Sequence, residues 1–366
     1  MGNSQKAGQN SIQLQAEVVN FGMSEDDIRS IISIEQEKIL KEVQLIAEET
    51  VRVRLKEYSE VLISKLVKYE LLHAFADPAI QVLFRKTERV AICTDRKFDY
   101  DMLSELLVHR VSKDKDFLTK AAINKAVEVI EYISENSLYA LTLLFAVLNV
   151  YPSTGNVKSG LEILNSLFGN LMQDYDFSNN NEWIENLDLV QVIKIIPFSK
   201  SDNFTDYIIM NFDGYFVDGI KINSSIYNEF VSELEQVGLP SDILVASDYL
   251  DDYCRIPVIE KSKISDISIW KMSDSGEKVF HKLTPVQIEL LERIYDCYEK
   301  NISNMNIIKE RFNEELKLYP NLSKLAEWWN FNIYNKQTIS ITAVGRILAQ
   351  VNAKRLDDRI PDLEVK

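Results

Sequence analysis

Residues 138–150 read LYALTLLFAVLNV, and the fold turns on them. The apolar side chains do not keep to one stripe but run round every side of the segment. No Gly or Pro interrupts them. A helix that is apolar all round belongs in the middle of a protein. At thirteen residues the run is too short for the roughly 20 that a membrane span needs. The sequence therefore predicts a central buried helix from Leu138 to Val150.

The neighbouring segments read the same way. On the N-terminal side, Asp99 to Val111 and Lys115 to Ser134 have helical patterns. Asp77-Pro78 is a helix start, with Asp as N-cap and Pro at the first helical position. That helix should run from Pro78 to about Cys93. On the C-terminal side, Tyr151-Pro152-Ser153-Thr154-Gly155 is a turn, and Val157 to Gln173 is another helix.

Ahead of Asp77 lies an uninterrupted stretch. Ser24 opens it, with Asp27 three residues on as a variant of the capping box. From Ile28 to Phe75 there is neither Pro nor Gly. Ile32, Ile39, Ile46 and Val53 recur every seven residues, and Val43 adds a residue of the alternate heptad position. This is a coiled-coil-like seam about three heptads long. One long helix, or two with a break near Glu57 to Glu60, would satisfy the pattern. The stripe packs either on its own domain or against another copy.

The texture changes after Pro197. Tyr207 to Met210 and Gly214 to Ile222 look strand-like. Ser225 to Val237 is a helix ended by Gly238-Leu239-Pro240. Asp242 to Ser275 reads as irregular, a linker or exposed excursion. Thr284 caps a last helical block of Pro285 to Lys300, Asn304 to Leu318 and Leu322 to Asn330. Gln337 to Ile341 alternates like a strand, and Thr342 caps Ala343 to Ala353. The expected fold is mainly α: a long N-terminal helix leading into a helical bundle, then an α-rich C-terminal domain with a few short strands. The expected divisions are 1–22, 23–198 and 199–366.

Composition narrows the function. The 366 residues carry a formal charge of −15, with 46% hydrophobic residues. A dominant nucleic-acid or anionic-membrane surface needs clustered Lys and Arg, so neither partner is expected. Cys93, Cys254 and Cys297 form no CxxC pair and stand far apart. With no apolar leader at the N-terminus, a cytoplasmic location is expected. Phosphate-binding glycine loops and the HExxH, GxSxG and kinase signatures are all missing from the sequence. No catalytic residue is assigned, and no cofactor other than calcium is expected.

Calcium enters through the segment DYDFSNNNEWIE. Asp174, Asp176, Ser178, Glu182 and Glu185 place oxygen side chains at loop positions one, three, five, nine and twelve, as in an EF-hand. Asn179 stands where the sharp turn needs Gly. A polar interhelix loop is the alternative. Asp95, Asp99 and Asp101 cluster beside Arg96 and read as a solvated turn capping the next helix. His73 and His109 read as surface or satisfied histidines, and Cys93 and Cys297 as small hydrophobes. AEWWNFNIY, Ala326 to Tyr334, lacks interleaved basic residues and reads as a core anchor.

The N-terminus has a character of its own. Ile12-Gln13-Leu14-Gln15-Ala16-Glu17-Val18 alternates strictly, so Ile12, Leu14, Ala16 and Val18 share one face of a strand. The helical chain that follows offers it no local partner. Such a strand pairs with another chain or remains a disordered tail.

Two segments carry a resemblance. QKAGQNSIQLQA resembles a QxAGxNSxxxQA motif at the start of various bacterial proteins. It is similar in style to bacterial amyloid-signalling motifs and, more distantly, to the RHIM motif of animal necroptosis proteins. Gln5, Ala7, Gly8, Asn10, Ser11, Gln15 and Ala16 match the bacterial pattern. Ile12, Gln13 and Leu14 fit the RHIM core, whose following Gly is Gln15 here. ISITAVGRILAQVNAKR, Ile339 to Arg355, resembles the LTxxGxxIAxxNxKR ending of a family of uncharacterised bacterial proteins. That family also shares ADPAIQVLFRKTERVA and LLVHRV. The resemblance implies a non-enzymatic assembly or signalling protein of bacteria, linked to phage defence. Gln5, Gly8, Asn10, Ile12, Gln13, Leu14 and Gln15 would be its assembly residues, and a homo-oligomer or partner protein would be bound through the N-terminus. The alternatives are a nuclease- or hydrolase-like effector without a recognisable motif, and a calcium-responsive helical module.

Overall fold

The computed structural model describes residues 25–111, 116–177, 182–272, 278–298 and 301–361. Among them are thirteen α-helices and seven short strands. The first five helices are α1 (Glu25–Lys68), α2 (Pro78–Cys93), α3 (Lys97–Val111), α4 (Phe117–Val129) and α5 (Glu135–Asn149). Then come α6 (Val157–Leu171), α7 (Glu182–Leu189), strand β1 (Ile193–Lys200) and α8 (Phe204–Asn211). Strand β2 (Ile220–Lys221), α9 (Ser225–Gln236), β3 (Val245–Ala246), β4 (Tyr253–Arg255), β5 (Ser268–Met272) and β6 (Lys278–Lys282) follow. The chain ends with α10 (Pro285–Asp296), α11 (Ile302–Leu316), α12 (Pro320–Asn332), β7 (Gln337–Ile341) and α13 (Ala343–Leu356). The fold is mainly α.

Helix α5 is the central helix that its composition predicts. Every residue from Ser137 to Val147 is buried. Its Ser134 N-cap accepts the Ser137 N–H, so the helix starts in a defined place. The next layer is α13, which packs along α5 and α4, with α6 and α7 beside them. Asp77 caps α2 with Pro78 at the first position, and Thr284 and Gln287 form a reciprocal capping box on α10.

The apolar clusters divide along a different line from residue 198. The larger takes residues from Tyr58 through Ile360. Strand β1 straddles residue 198 and pairs antiparallel with β7, with Ile193 opposite Ile341 and Ile195 opposite Ile339. The pairing shifts register between Ile196 and Lys200, where Pro197 lacks a ladder donor and Phe198 has φ +64°. The smaller cluster collects Ile220, Leu234, Ile256, Ile264, Leu291 and their neighbours.

Two sequence expectations are corrected here. Tyr207 to Met210 belongs to α8, capped by Asn203, because Phe204, Ile208 and Ile209 recur at helical spacing and bury one face. The region 242–275 is, over its described residues 242–272, no linker. It contributes β3, β4 and β5 and supplies Ile243, Leu244, Cys254, Ile256, Val258 and Ile264 to the smaller cluster. Its apolar residues are spaced too irregularly to show either period.

Candidate functional site

Helix α1 is one unbroken element of 44 residues, roughly 66 Å long at 1.5 Å per residue. Its C-terminal part is anchored. Tyr58, Leu62 and Leu66 are buried against α2 and α3. The Tyr58 hydroxyl donates to Thr87 Oγ1 at 2.6 Å, and Lys65 Nζ reaches Glu105 at 2.7 Å and Asp101 at 3.2 Å. Arg54 Nη1 donates to the Ile92 carbonyl.

Its N-terminal part projects. From Glu35 to Val53 every residue is exposed. Ile39, Leu40, Val43, Ile46 and Val53 keep between 43% and 67% of their surface in solvent. The seam expected at Ile39, Ile46 and Val53 therefore finds no cover among the described residues of its own chain. The side chain of Ile32 lies outside the described residues. Weak ion pairs at i,i+3, Glu35 with Lys38 and Glu49 with Arg52, support the exposed helix locally. Such a row is longer than the single hydrophobes scattered over ordinary surfaces.

Gln5, Gly8, Asn10, Ile12, Gln13, Leu14 and Gln15, expected from the resemblance to serve assembly, lie outside the described residues. They join the body through Glu25, at the far tip of the projecting helix.

The calcium segment is partly described. Asp174 Oδ2 accepts from the Tyr139 hydroxyl at 3.4 Å, and the Asp176 N–H donates to Asn136 Oδ1 at 3.2 Å. Glu182 and Glu185 occupy the first turn of α7, where acids favour the helix dipole. Ser178 lies outside the described residues. Among the described residues no group of three or more His, Cys, Asp or Glu side chains is placed to hold a metal ion.

The acidic run after Cys93 is not a solvated turn throughout. Asp99 is buried, accepting from Thr94 Oγ1 at 2.6 Å and from Arg96 Nε at 2.9 Å. Arg96 also holds the Ile133 and Ile130 carbonyls. Burial raises the Asp99 pKa, against the opposing pull of Thr94 and Arg96. The turn between α2 and α3 is thereby stapled to the turn that follows α4. His73 is exposed and His109 half-buried. Cys93 and Cys297 are exposed rather than packed as small hydrophobes, and Cys254 is buried.

The closing motif does structural work residue by residue. Thr342 caps α13 and also donates to the Val192 carbonyl. A side chain at Gly345 would run into that same carbonyl. Asn352 is fully buried; its Nδ2 donates to Thr142 Oγ1 and its Oδ1 accepts from Arg355. Arg355 lies 6.0 Å from the centre of the Phe98 ring. In the aromatic run Trp328 and Trp329 are buried as a core anchor, whereas Phe331 and Tyr334 are exposed. Trp328 donates to the Tyr175 hydroxyl, Trp329 to the Asp202 carbonyl, and Trp183 to Asn332 within it.

Sequence reasoning missed a cleft of about 760 Å³ between the α5–α6 turn, residues 257–267 and the segment 359–361. Lys263, Asp266 and Arg359 are its charged lining residues. Behind it lies Arg255, almost fully buried, whose guanidinium donates to the carbonyls of Gly214, Ile256 and Gly155 and to Asp248 Oδ2. The signal available in the sequence was an Arg flanked by two apolar residues, Cys254 and Ile256.

Among the described residues no helix is long and apolar enough to cross a membrane. These features define a mainly α protein with a projecting helix. A family model described as ":-like" matches residues 22–364, and the chain belongs to that family. No curated protein and no solved structure matches it.

Proposed function

We propose that this is a non-enzymatic assembly or signalling protein of bacteria, serving phage defence, that self-associates through its N-terminal motif. The projecting half of α1 is the observation that carries the reading. From Glu35 to Val53 its side chains are all exposed, and in chain order it lies between residues 3–18 and the packed helical core. A β-forming segment at residues 12–18 would be tethered to the body by this exposed helix. Stacked copies of Ile12 to Val18 would satisfy their backbone groups every ~4.7–4.8 Å and align Gln13 and Gln15 in amide ladders. Pro at position 14 removes a ladder donor. Light scattering of the full chain should therefore give large assemblies that vanish with Leu14→Pro, while far-ultraviolet circular dichroism stays unchanged. Equal masses for the two proteins would end the reading.

The cleft supports a second reading, a hydrolase-like effector whose substrate would lie against Lys263, Asp266 and Arg359. That reading expects Asp266→Asn to remove activity without affecting assembly.

A further inference from the structure

We infer that the projecting half of α1 is a second association surface, separate from the N-terminal motif, and that it takes further copies of this chain in parallel, in-register alignment. The spacing assigns Ile39, Ile46 and Val53 to d positions of a heptad and Gln36, Val43 and Thr50 to a positions. Every one of these side chains is exposed. At ~100° per residue, the stripe stands about a third of a turn round α1 from the face that Tyr58, Leu62 and Leu66 bury. Copies meeting along the stripe would keep their bodies on outer sides.

Charge selects the partner and its direction. Glu35, Glu42 and Glu49 fall at successive g positions along one edge of the stripe. The other edge, at e positions, carries Leu40, Ala47 and Arg54. Parallel copies set each g residue against the e residue five positions on in its neighbour. Glu35 then lies on Leu40, Glu42 on Ala47 and Glu49 beside Arg54, with no like charges opposed. Antiparallel copies would set g against g, placing Glu42 on its own counterpart and Glu35 on Glu49. The stripe is thus self-complementary in one direction. Ile at d shifts the preference towards more than two strands, so mass reports the number of copies and cross-linking the direction.

The test uses the full chain carrying Leu14→Pro, Cys93→Ser and Cys297→Ser, so that neither the N-terminal motif nor an exposed native thiol contributes. Into it go Gln36→Cys, Thr50→Cys or, at the outward f position, Lys41→Cys. Under mild oxidation the expected products are 36–36 and 50–50 disulfides, formed at least tenfold faster than 41–41. When the Gln36→Cys and Thr50→Cys proteins are mixed, 36–50 links should stay at background. Light scattering should give a multiple of the chain mass, reduced to one chain by Ile39→Asp with Ile46→Asp and no change in thermal midpoint. A dominant 36–50 product would overturn the direction. A monomer in the Leu14→Pro background, or multiples that survive both Asp substitutions, would overturn the surface. Both results leave the N-terminal reading to its own test.

Discussion

Asn352 of α13 donates its Nδ2 to Thr142 Oγ1 of α5 at 2.9 Å, joining two helices 210 residues apart inside the core. The same side chain accepts from Arg355 through Oδ1. Asn352→Ala should therefore leave the Arg355 guanidinium short of an acceptor and open a small void. The expected loss is about 1–3 kcal/mol, read as a lower urea midpoint with unchanged slope. Asn352→Leu should be no better, because it fills the space but restores no acceptor. A neutral result for both would separate this network from stability.

Gly345 faces a carbonyl that cannot yield. The Val192 oxygen already accepts from the Thr342 N–H and hydroxyl, and a Cβ at position 345 would collide with it. Ala gains roughly 1 kcal/mol over Gly within a helix. Overpacking a fixed backbone costs about 1–3 kcal/mol. Gly345→Ala should thus destabilise, and thermal unfolding followed by circular dichroism gives the sign.

Arg255 spreads one guanidinium over three carbonyls and one carboxylate. Lys offers a single point charge and cannot reach all four. Arg255→Lys should consequently behave nearly as badly as Arg255→Ala. Asp248 keeps 34% of its side chain exposed, so the loss belongs at the lower end of the range for broken buried pairs, about 3 kcal/mol. Chemical denaturation of both variants checks this, and full rescue by Lys would refute it.

Asp357 sets an acid limit. Arg359 above all, with its backbone N–H and Asn170, holds the Asp357 carboxyl down at about 2. An unfolded aspartate titrates near ~3.9. The stabilising contribution is complete above the unfolded value and disappears as pH falls through the folded one. The stability gap between the wild-type chain and Asp357→Asn should therefore narrow between about pH 4 and pH 2. Urea midpoints measured at several pH values test it, and a constant gap would contradict the linkage.

The sequence by itself determined what depends on neighbours within a turn or two. Asp77-Pro78, Thr284 with Gln287, and Thr342 cap helices through atoms at most three residues away. Residues 138–150 declare burial because an all-round apolar helix has no other place to go. The aromatic run read as core because its large rings have no basic residues between them. Tertiary structure decided the rest, because burial and pairing need partners that are distant in sequence. Tyr207 to Met210 has strand-like residues but became helix when Phe204 and Ile208 found the core. Strand β1 exists only because β7, some 140 residues later, pairs with it. Residues 242–275 looked irregular, and yet their described part supplies much of the smaller cluster from two single turns, β4 and the segment after it. The heptads of α1 were legible as a period, but a period does not say what it faces. Only the packed body shows that Tyr58, Leu62 and Leu66 take the inner face and leave Ile39, Ile46 and Val53 in solvent.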